Sequence, residues 1–190
     1  MGTARNARGF ERTLGIDSGH WLGAPFRMGI VFEELDYQHT AIGALSLRRR
    51  RMPQLGDLDI YEVKLGDYFL MSSLFHEAEW QLAKHALARV EGDSLNVVVG
   101  GLGLGYTAAS ALEEPRVESL VVVEYLQPVI DWHRERLVPL GKTLCSDPRC
   151  RLVQDDFFEL SRALEIGFDR DDPGRKFDAI RLDIDHTPEN

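Results

Sequence analysis

Cysteine is scarce in this chain of 190 residues, where Cys145 and Cys150 are the only two. Two cysteines are too few for a disulfide scaffold, and they form no zinc site without histidines at matching spacing. We therefore predict two reduced thiols and no bound metal.

Long hydrophobic runs are also missing, since the longest purely aliphatic stretch is Leu120–Val123. A helix that crosses a bilayer needs about 20 apolar residues. The first residues contain no apolar signal region, and Asn6 stands where a myristoylation pattern requires Ser or Thr. These absences predict a cytoplasmic protein with no membrane contact.

Positive charge is in short supply. The formal net charge is -9, and residues 61–190 carry 14 Lys and Arg against 24 Asp and Glu. An acidic surface repels phosphate backbones, which predicts that nucleic acid is not a partner. We interpret the one basic run, Arg48–Arg51, as the solvated edge of a sheet.

The content of hydrophobic residues, 44% with 28% charged residues, is sufficient for a packed core. Residues 1–72 form a predicted N-terminal β-rich region with a small antiparallel sheet. Turn residues separate its predicted strands at Asp36, Pro53, Gly56-Asp57 and Gly66-Asp67. The predicted strands are Gly29–Phe32, Ala41–Leu47, Asp59–Val63 and Tyr68–Met71.

The pattern changes over residues 73–190, which form a predicted Rossmann-like domain. Apolar residues recur every four positions from Leu74 to Val90, which predicts a helix that ends before Gly92. Apolar strands then alternate with helices, as in an α/β fold with a doubly wound, mostly parallel sheet. The predicted strands are Asn96–Val99, Ser119–Glu124, Cys150–Val153 and Phe177–Leu182, and the predicted helices are Tyr106–Glu113 and Pro128–Val138.

A glycine-rich loop, Gly100–Gly105, follows the first strand of this predicted sheet. Glycines allow the chain to turn sharply from strand to helix, let the backbone approach a ligand closely and leave N–H groups of the helix start free. The loop lies at the carboxyl end of its strand, where doubly wound sheets bind ligands. It therefore predicts a nucleotide or nucleoside site.

Carboxylates follow the next three strands at the same edge of the sheet. Glu124 ends the second strand, about 20 residues after the loop, where an acid can accept both hydroxyls of a ribose. Asp155 and Asp156 follow the third strand, and Asp183 and Asp185 end the fourth. Their convergence on one crevice favours a cationic or hydroxyl-rich ligand.

Two registers of the loop compete. A nicotinamide dinucleotide fingerprint fits Gly103, Gly105 and Ala108, but it begins three residues inside the glycine run. The register Gly101, Gly103 and Gly105 has the form G-x-G-x-G and resembles the loop of S-adenosylmethionine sites. Tyr106 then occupies the place of the third dinucleotide glycine.

From about Phe75 onward, the chain resembles the spermidine synthases, the polyamine aminopropyltransferases that share the class I methyltransferase fold. The segment GLGLGYTAASALEEPRVESL (Gly101–Leu120) is similar to the family's glycine loop, helix and lead-in to the second strand. The segment SDPRCRLVQDD (residues 146–156) resembles the family's DPRVxVxxGD, and Phe177–Asp183 resembles its FDVIIxD strand.

This resemblance implies a cofactor, site roles and a partner. S-adenosylmethionine or its decarboxylated form is the implied co-substrate, and a small amine is the implied acceptor. By analogy, the cofactor-binding residues are Gly101, Gly103, Gly105, Glu124, Asp155 and Asp156, with Glu124 at the ribose and Asp156 at the adenine amino group. Asp183 is the implied base or electrostatic anchor for the attacking amine, with Asp185 and His186 as catalytic neighbours. The family also implies a homodimer.

The chain departs from the family at specific positions. Leu104 replaces the acid of the family loop GGGDGG, and His186 aligns with the second aspartate of its D-S-S/T-D-P segment. Without the loop acid, a carboxylate that holds an ammonium group is lost. Three function classes stay open: an aminopropyltransferase-like enzyme, a methyltransferase, and a nucleoside-binding protein without catalysis.

The resemblance also implies a seven-stranded sheet in the order 3-2-1-4-5-7-6, whereas the sequence ends shortly after the fourth strand. An open apolar strand edge favours association with other strands. We therefore expect that C-terminal strands are absent from this sequence or that another chain covers the edge.

Overall fold

The computed structural model describes residues 32–163 and 165–184, without the side chains of Gln54, Leu82 and Ala83. The strands of this part are β1 (Phe32–Thr40), β2 (Gly43–Met52), β3 (Leu58–Leu65), β4 (Tyr68–Ser72), β5 (Leu95–Gly100), β6 (Val117–Glu124), β7 (Cys150–Gln154) and β8 (Ala179–Leu182). Its α-helices are α1 (Glu77–Leu87), α2 (Tyr106–Leu112), α3 (Gln127–Arg134), α4 (Gly141–Ser146) and α5 (Phe157–Arg162). No helix in these residues is long and apolar enough to cross a bilayer.

The first four strands form an antiparallel sheet in the order β1-β2-β3-β4. The predicted hairpin at Gly66-Asp67 is confirmed, and Gly66 adopts a left-handed conformation with φ of 57°. Of the first predicted strand, Gly29–Phe32, the first three residues lie outside the described part of the chain, and Phe32 belongs to β1. Asp36 lies at a β-bulge within that strand and not at a turn.

The arginine run Arg48–Arg51 lies within β2, which pairs with β1 on one side and β3 on the other. The interpretation of this run as a sheet edge is therefore wrong. Each arginine forms an ion pair with an acid of a neighbouring strand. The pairs are Arg48–Glu34, Arg49–Glu33, Arg50–Glu62 and Arg51–Asp59. These cross-strand pairs match each of the four arginine charges with one carboxylate.

The second sheet is parallel and has the order β7-β6-β5-β8. Its central strands are rich in valine, whose branched side chain suits a pleated sheet buried on both faces. Alternate residues pack into two clusters: Val97, Val99 and Val122 face one, and Val98 and Val121 face the other. The predicted α/β fold with a mostly parallel sheet and a separate antiparallel sheet is confirmed.

The helices of this sheet agree with the sequence patterns only in part. Helix α1 carries Glu77 and Glu79 in its first turn and Lys84 and His85 in its last, which complements the helix dipole. Helices α4 and α5 were not predicted. Helix α5 follows β7 directly because Asp156 caps it, accepting the backbone N–H groups of Phe158 and Glu159.

The two sheets share one hydrophobic core. Leu45, Leu47 and Val63 of the antiparallel sheet belong to the same buried cluster as Val97 and Val99 of the parallel sheet. The indole N–H of Trp132, on α3, also donates to the carboxylate of Asp36, on β1, at 2.6 Å. This packing holds the antiparallel sheet over the carboxyl ends of the parallel strands.

Candidate functional site

A cavity of about 410 Å³ lies between the two sheets. We call its two sides the floor and the roof. The floor comes from the carboxyl ends of the parallel strands and presents the carboxylates of Glu124, Asp156 and Asp183 beside Gly101 and Gly103. The roof comes from the antiparallel sheet and consists of the Ala41–Ile42 turn, Leu45, Val63, Leu65 and the Leu70–Met71 pair. The predicted convergence of acids from three consecutive strands is observed.

Gly101 and Gly103 bring the backbone of the glycine loop against the cavity. Both have positive φ, 92° and 48°. A Cβ atom on Gly101 would lie 2.1 Å from the Asp183 carbonyl oxygen, and one on Gly103 would lie 2.5 Å from the Met71 Sδ. Glycine is thus required at Gly101 by conformation and by space, because the added Cβ meets backbone atoms, and at Gly103 by conformation, because the end of the flexible Met71 side chain can shift away. Gly105 faces His133 and Leu144; it does not line the cavity.

Gly101→Ala is expected to lower the free energy of unfolding by about 2 kcal/mol, because the methyl group meets backbone atoms and φ is left-handed. Gly56→Ala is the matched control: Gly56 has φ of 74° with nothing within 4 Å of the added Cβ. The control is expected to cost about 1 kcal/mol from conformation alone. Urea unfolding of both variants measures the difference, and equal losses would contradict the close approach at Gly101.

Glu124 joins the glycine loop to the floor. It is only 9% exposed. Its Oε2 accepts the Leu102 backbone N–H and its Oε1 accepts the Leu126 backbone N–H, both at 2.8 Å. Burial raises the pKa of this carboxyl, and the backbone N–H donors oppose that rise. The backbone N–H groups of Gly103 and Tyr125 also interact with this carboxylate. A carboxylate has about four lone-pair sites, so a ribose hydroxyl competes with these two weaker donors.

The expectation of free N–H groups is wrong for four residues of the loop. The N–H groups of Gly101 and Gly105 donate to the carbonyl oxygens of Val123 and Leu102, both at 2.8 Å. Glu124 holds the Leu102 N–H, and the Met71 Sδ accepts the Leu104 N–H at 3.1 Å. For Leu102 and Leu104 the cause is packing between segments far apart in the chain: the acid folds back onto the loop, and β4 lies over it. The loop therefore contributes close backbone approach, whereas Glu124 contributes the hydrogen-bond acceptors.

The two acids after β7 have different surroundings. Asp156 lines the cavity, and its Oδ1 accepts the two N–H groups that start α5. No described residue donates to its Oδ2. Asp155 forms an ion pair with Arg170, which lowers the pKa of the carboxyl, and it does not line the cavity. The structure thus brings Asp156, and not Asp155, to the other site acids.

Asp183 lines the floor, and its backbone lies against Gly101. The Thr107 hydroxyl donates to its Oδ2 at 2.5 Å, and within the described residues its Oδ1 has no donor. Burial raises the pKa of Asp183, the Thr107 hydrogen bond lowers it, and the nearby Glu79 raises it further. A carboxylate with a raised pKa and an open oxygen is a suitable proton acceptor.

His133 supports the loop from behind. Its ring is fully buried, and its Nε2 lies 2.9 Å from the Gly103 carbonyl oxygen. A carbonyl oxygen only accepts, so Nε2 carries the proton. Burial lowers the pKa of His133. Gly105 and Gly141 both lie against this histidine, with too little room for a Cβ. The two glycines make space for a side chain that fixes the loop.

Sequence reasoning missed several site residues. Thr107 gives no local signal beyond its place in the first turn of α2, although it holds Asp183. The roof residues gave no signal, because their contact with the floor depends on the packing of two sheets. Phe157 and Phe158 line the cavity beside Asp156 and were missed together with their helix. Asp185 and His186 lie outside the described residues.

Metal ligands are not grouped in the described part of the chain, where no three His, Cys, Asp or Glu side chains lie close enough to hold an ion. Cys150 is half-buried, and this burial raises the pKa of its thiol to about 12; both cysteines are free. Neither thiol lines the cavity.

Comparison with known proteins identifies the fold. No protein-family model matches this chain, and no curated protein matches it with significant sequence similarity. A solved structure of spermidine synthase from Thermotoga maritima matches with a TM-score of 0.63 and 18% identity, over 82% of this chain and 48% of that one. A spermidine synthase in complex with the transition state analogue AdoDATO matches with a TM-score of 0.61 and 19% identity, over 82% and 47%.

These similarities show that the chain has the fold of the spermidine synthases, as the sequence resemblance implies. The chain spans about half the length of the two enzymes. The strand order β7-β6-β5-β8 agrees with the 3-2-1-4 part of the expected order. In the described residues, β8 pairs with β5 alone, and Ile180 and Leu182 are more than half exposed.

Proposed function

We propose that this protein is a spermidine-synthase-like transferase, which binds S-adenosylmethionine or its decarboxylated form and transfers an aminopropyl or alkyl group to an amine. One observation carries the proposal: carboxylates from the ends of three consecutive parallel strands meet on one cavity beside a glycine loop. Ligands of open α/β sheets bind at this edge. The cavity volume, about 410 Å³, is within the range of small-molecule sites.

The residues of the cavity fit an adenosine group. Glu124 is a charged acceptor for the ribose hydroxyls, which compete there with the weaker Gly103 and Tyr125 N–H donors. Asp156 has an oxygen, Oδ2, that can accept from an adenine amino group. Phe157, Phe158 and Val129 supply apolar surface for a base near Asp156. Gly101 and Gly103 let the chain approach the ligand closely. Of the predicted cofactor residues, Gly105 has a structural role, and Asp155 is engaged by Arg170.

When bound, an adenosyl sulfonium supplies an electrophilic carbon next to a good leaving group. Asp183 positions the amine and accepts its proton, because a free alkylamine is protonated at neutral pH, with a pKa near about 10. Transfer then forms the new N–C bond, breaks the C–S bond and leaves a neutral thioether. The apolar roof excludes water from this step. Thr107 holds Asp183 in place throughout.

A methyltransferase is the second candidate, and one observation favours it. Leu104 is fully buried in the core at the position where the family loop has an acid. The loop thus has no carboxylate at this position for the ammonium of an aminopropyl donor. S-adenosylmethionine, the methyl donor, carries its own carboxylate beside that ammonium. It therefore needs less neutralisation of the ammonium charge by carboxylates of the protein.

Calorimetric titration of the purified protein separates the candidates. The ligands are S-adenosylmethionine, its decarboxylated form and 5′-methylthioadenosine, with a nicotinamide dinucleotide as the negative control. Tighter binding of the decarboxylated form supports aminopropyl transfer, and tighter binding of the carboxylated form supports methyl transfer. Binding without turnover on an amine panel indicates a nucleoside-binding protein. Binding of the dinucleotide alone contradicts the proposal.

The remaining expectations stay predictions. They are a homodimer, a cytoplasmic location, the catalytic roles of Asp185 and His186, and the absence of nucleic acid and membrane partners.

A further inference from the structure

The roof of the cavity contains no charged side chain, and its one hydrogen-bonding side chain, Met71, already accepts the Leu104 N–H. All of its residues are aliphatic or, at Met71, a thioether. Five of them also pack with the hydrophobic core: Leu45, Val63, Leu65, Leu70 and Met71. An ammonium group placed against such a surface loses its hydration and gains no counter-ion. The roof therefore selects against a second positive charge on an acceptor whose body lies beneath it.

The floor offers few carboxylates for an acceptor. Glu124 and Asp156 are used by the proposed adenosine group. In the described residues, the cavity is lined by one further acid, Asp183, and by no cationic side chain. The family position that would supply another acid holds Leu104, whose side chain is fully buried. Among the acids that line the cavity in the described part of the chain, Asp183 alone is thus left to pair with an amine nitrogen of the acceptor; Glu79 lies near Asp183 but does not line the cavity.

Met71 lies where the roof meets the floor. Its Sδ accepts the Leu104 N–H and lies against Gly103, so the roof is in direct contact with the loop next to Asp183. Leu70, its neighbour in β4, lines the same cavity and is half-buried. An acceptor whose nitrogen lies at Asp183 must place the rest of its body along apolar side chains.

Resting on the proposed function, we propose that the acceptor is a monoamine whose body is a hydrocarbon chain or an aromatic ring, and not a diamine or polyamine. Its nitrogen binds at Asp183, and its apolar body lies beneath Leu70 and Met71. In the transfer step the nitrogen gains the alkyl group, one of its protons passes to Asp183, and the thioether leaves.

A matched pair of amines tests this proposal. Hexylamine and 1,6-diaminohexane have the same chain length and differ in one terminal group, methyl against ammonium. Each is titrated by calorimetry into the full chain saturated with 5′-methylthioadenosine. Hexylamine is expected to bind at least about ten-fold more tightly, because the second ammonium has no partner. Equal or tighter binding of the diamine overturns the proposal, as does binding of neither amine.

Variants of Leu70 test the cause of the preference. Leu70→Glu places a carboxylate in the roof and is expected to narrow or reverse the preference for hexylamine. Leu70→Gln is the neutral control of the same shape and is expected to keep it. An unchanged ratio in Leu70→Glu, with thermal unfolding like that of the wild type, contradicts the role of the roof.

The design separates this proposal from the function on which it rests. If 5′-methylthioadenosine does not bind, the adenosine site is wrong and both proposals fail. If it binds and the diamine is preferred, the adenosine site stands and only the monoamine proposal is overturned.

Discussion

Asp183→Asn is expected to reduce turnover by about 10²-fold to 10⁴-fold, the usual contribution of a positioned general base. Asparagine has the same shape and still accepts the Thr107 hydroxyl, so the floor keeps its structure. Its amide cannot take a proton from the amine. Affinity for 5′-methylthioadenosine is expected to stay within about three-fold of the wild type, because the nucleoside is held by Glu124 and Asp156. Single-turnover kinetics and calorimetry measure the two quantities.

The pH dependence of kcat/KM gives a second readout of the same residue. Burial raises the pKa of Asp183 above the ordinary carboxyl value of 3.8. The active form is the carboxylate, so the rate is expected to fall as pH decreases through this raised pKa. The acid limb should disappear in Asp183→Asn. Asp172→Asn, an exposed acid of the loop before β8, is the control. Full turnover in Asp183→Asn dismisses the proposed role.

Glu124→Gln is expected to weaken the binding of adenosine ligands by about 100-fold, or about 2.7 kcal/mol. The carboxylate already accepts one backbone N–H on each oxygen. A glutamine has one carbonyl oxygen, so its NH₂ group must face either the Leu102 N–H or the Leu126 N–H, donor against donor. The variant therefore loses a charged acceptor for the ribose and also disturbs the loop.

Glu118→Gln is the matched control for this variant. Glu118 lies on the same strand, β6, but its side chain is exposed. The control is expected to bind 5′-methylthioadenosine as the wild type does. If Glu124→Gln keeps wild-type affinity, the ribose does not bind at this carboxylate, and Glu124 only supports the loop.

The parallel half of the fold follows from local patterns. Valine-rich strands, helical spacing and the glycine run locate β5, β6 and β7 within two residues of their bounds, because burial on both faces leaves a clear mark on the sequence. The same patterns place Glu124, Asp156 and Asp183 at one edge of the sheet. Parallel topology alone brings these acids together.

Other features depend on contacts between distant segments. Asp36 reads as a turn residue, yet a β-bulge and a hydrogen bond to Trp132 keep it within β1. The arginine run resembles a sheet edge in the sequence because the acids that pair with it, such as Glu33 and Glu62, come from other strands. Glu124 and Met71 occupy loop N–H groups that the glycine pattern leaves open. In each case a tertiary contact overrides the local signal.

The central claim is that the floor of the cavity binds adenosine, and a crystal structure with 5′-methylthioadenosine tests it most directly. The account predicts the ribose hydroxyls within hydrogen-bond distance of the Glu124 carboxylate and the adenine amino group at the Asp156 Oδ2. A nucleoside bound elsewhere, with the cavity between the two sheets filled by side chains, would contradict it.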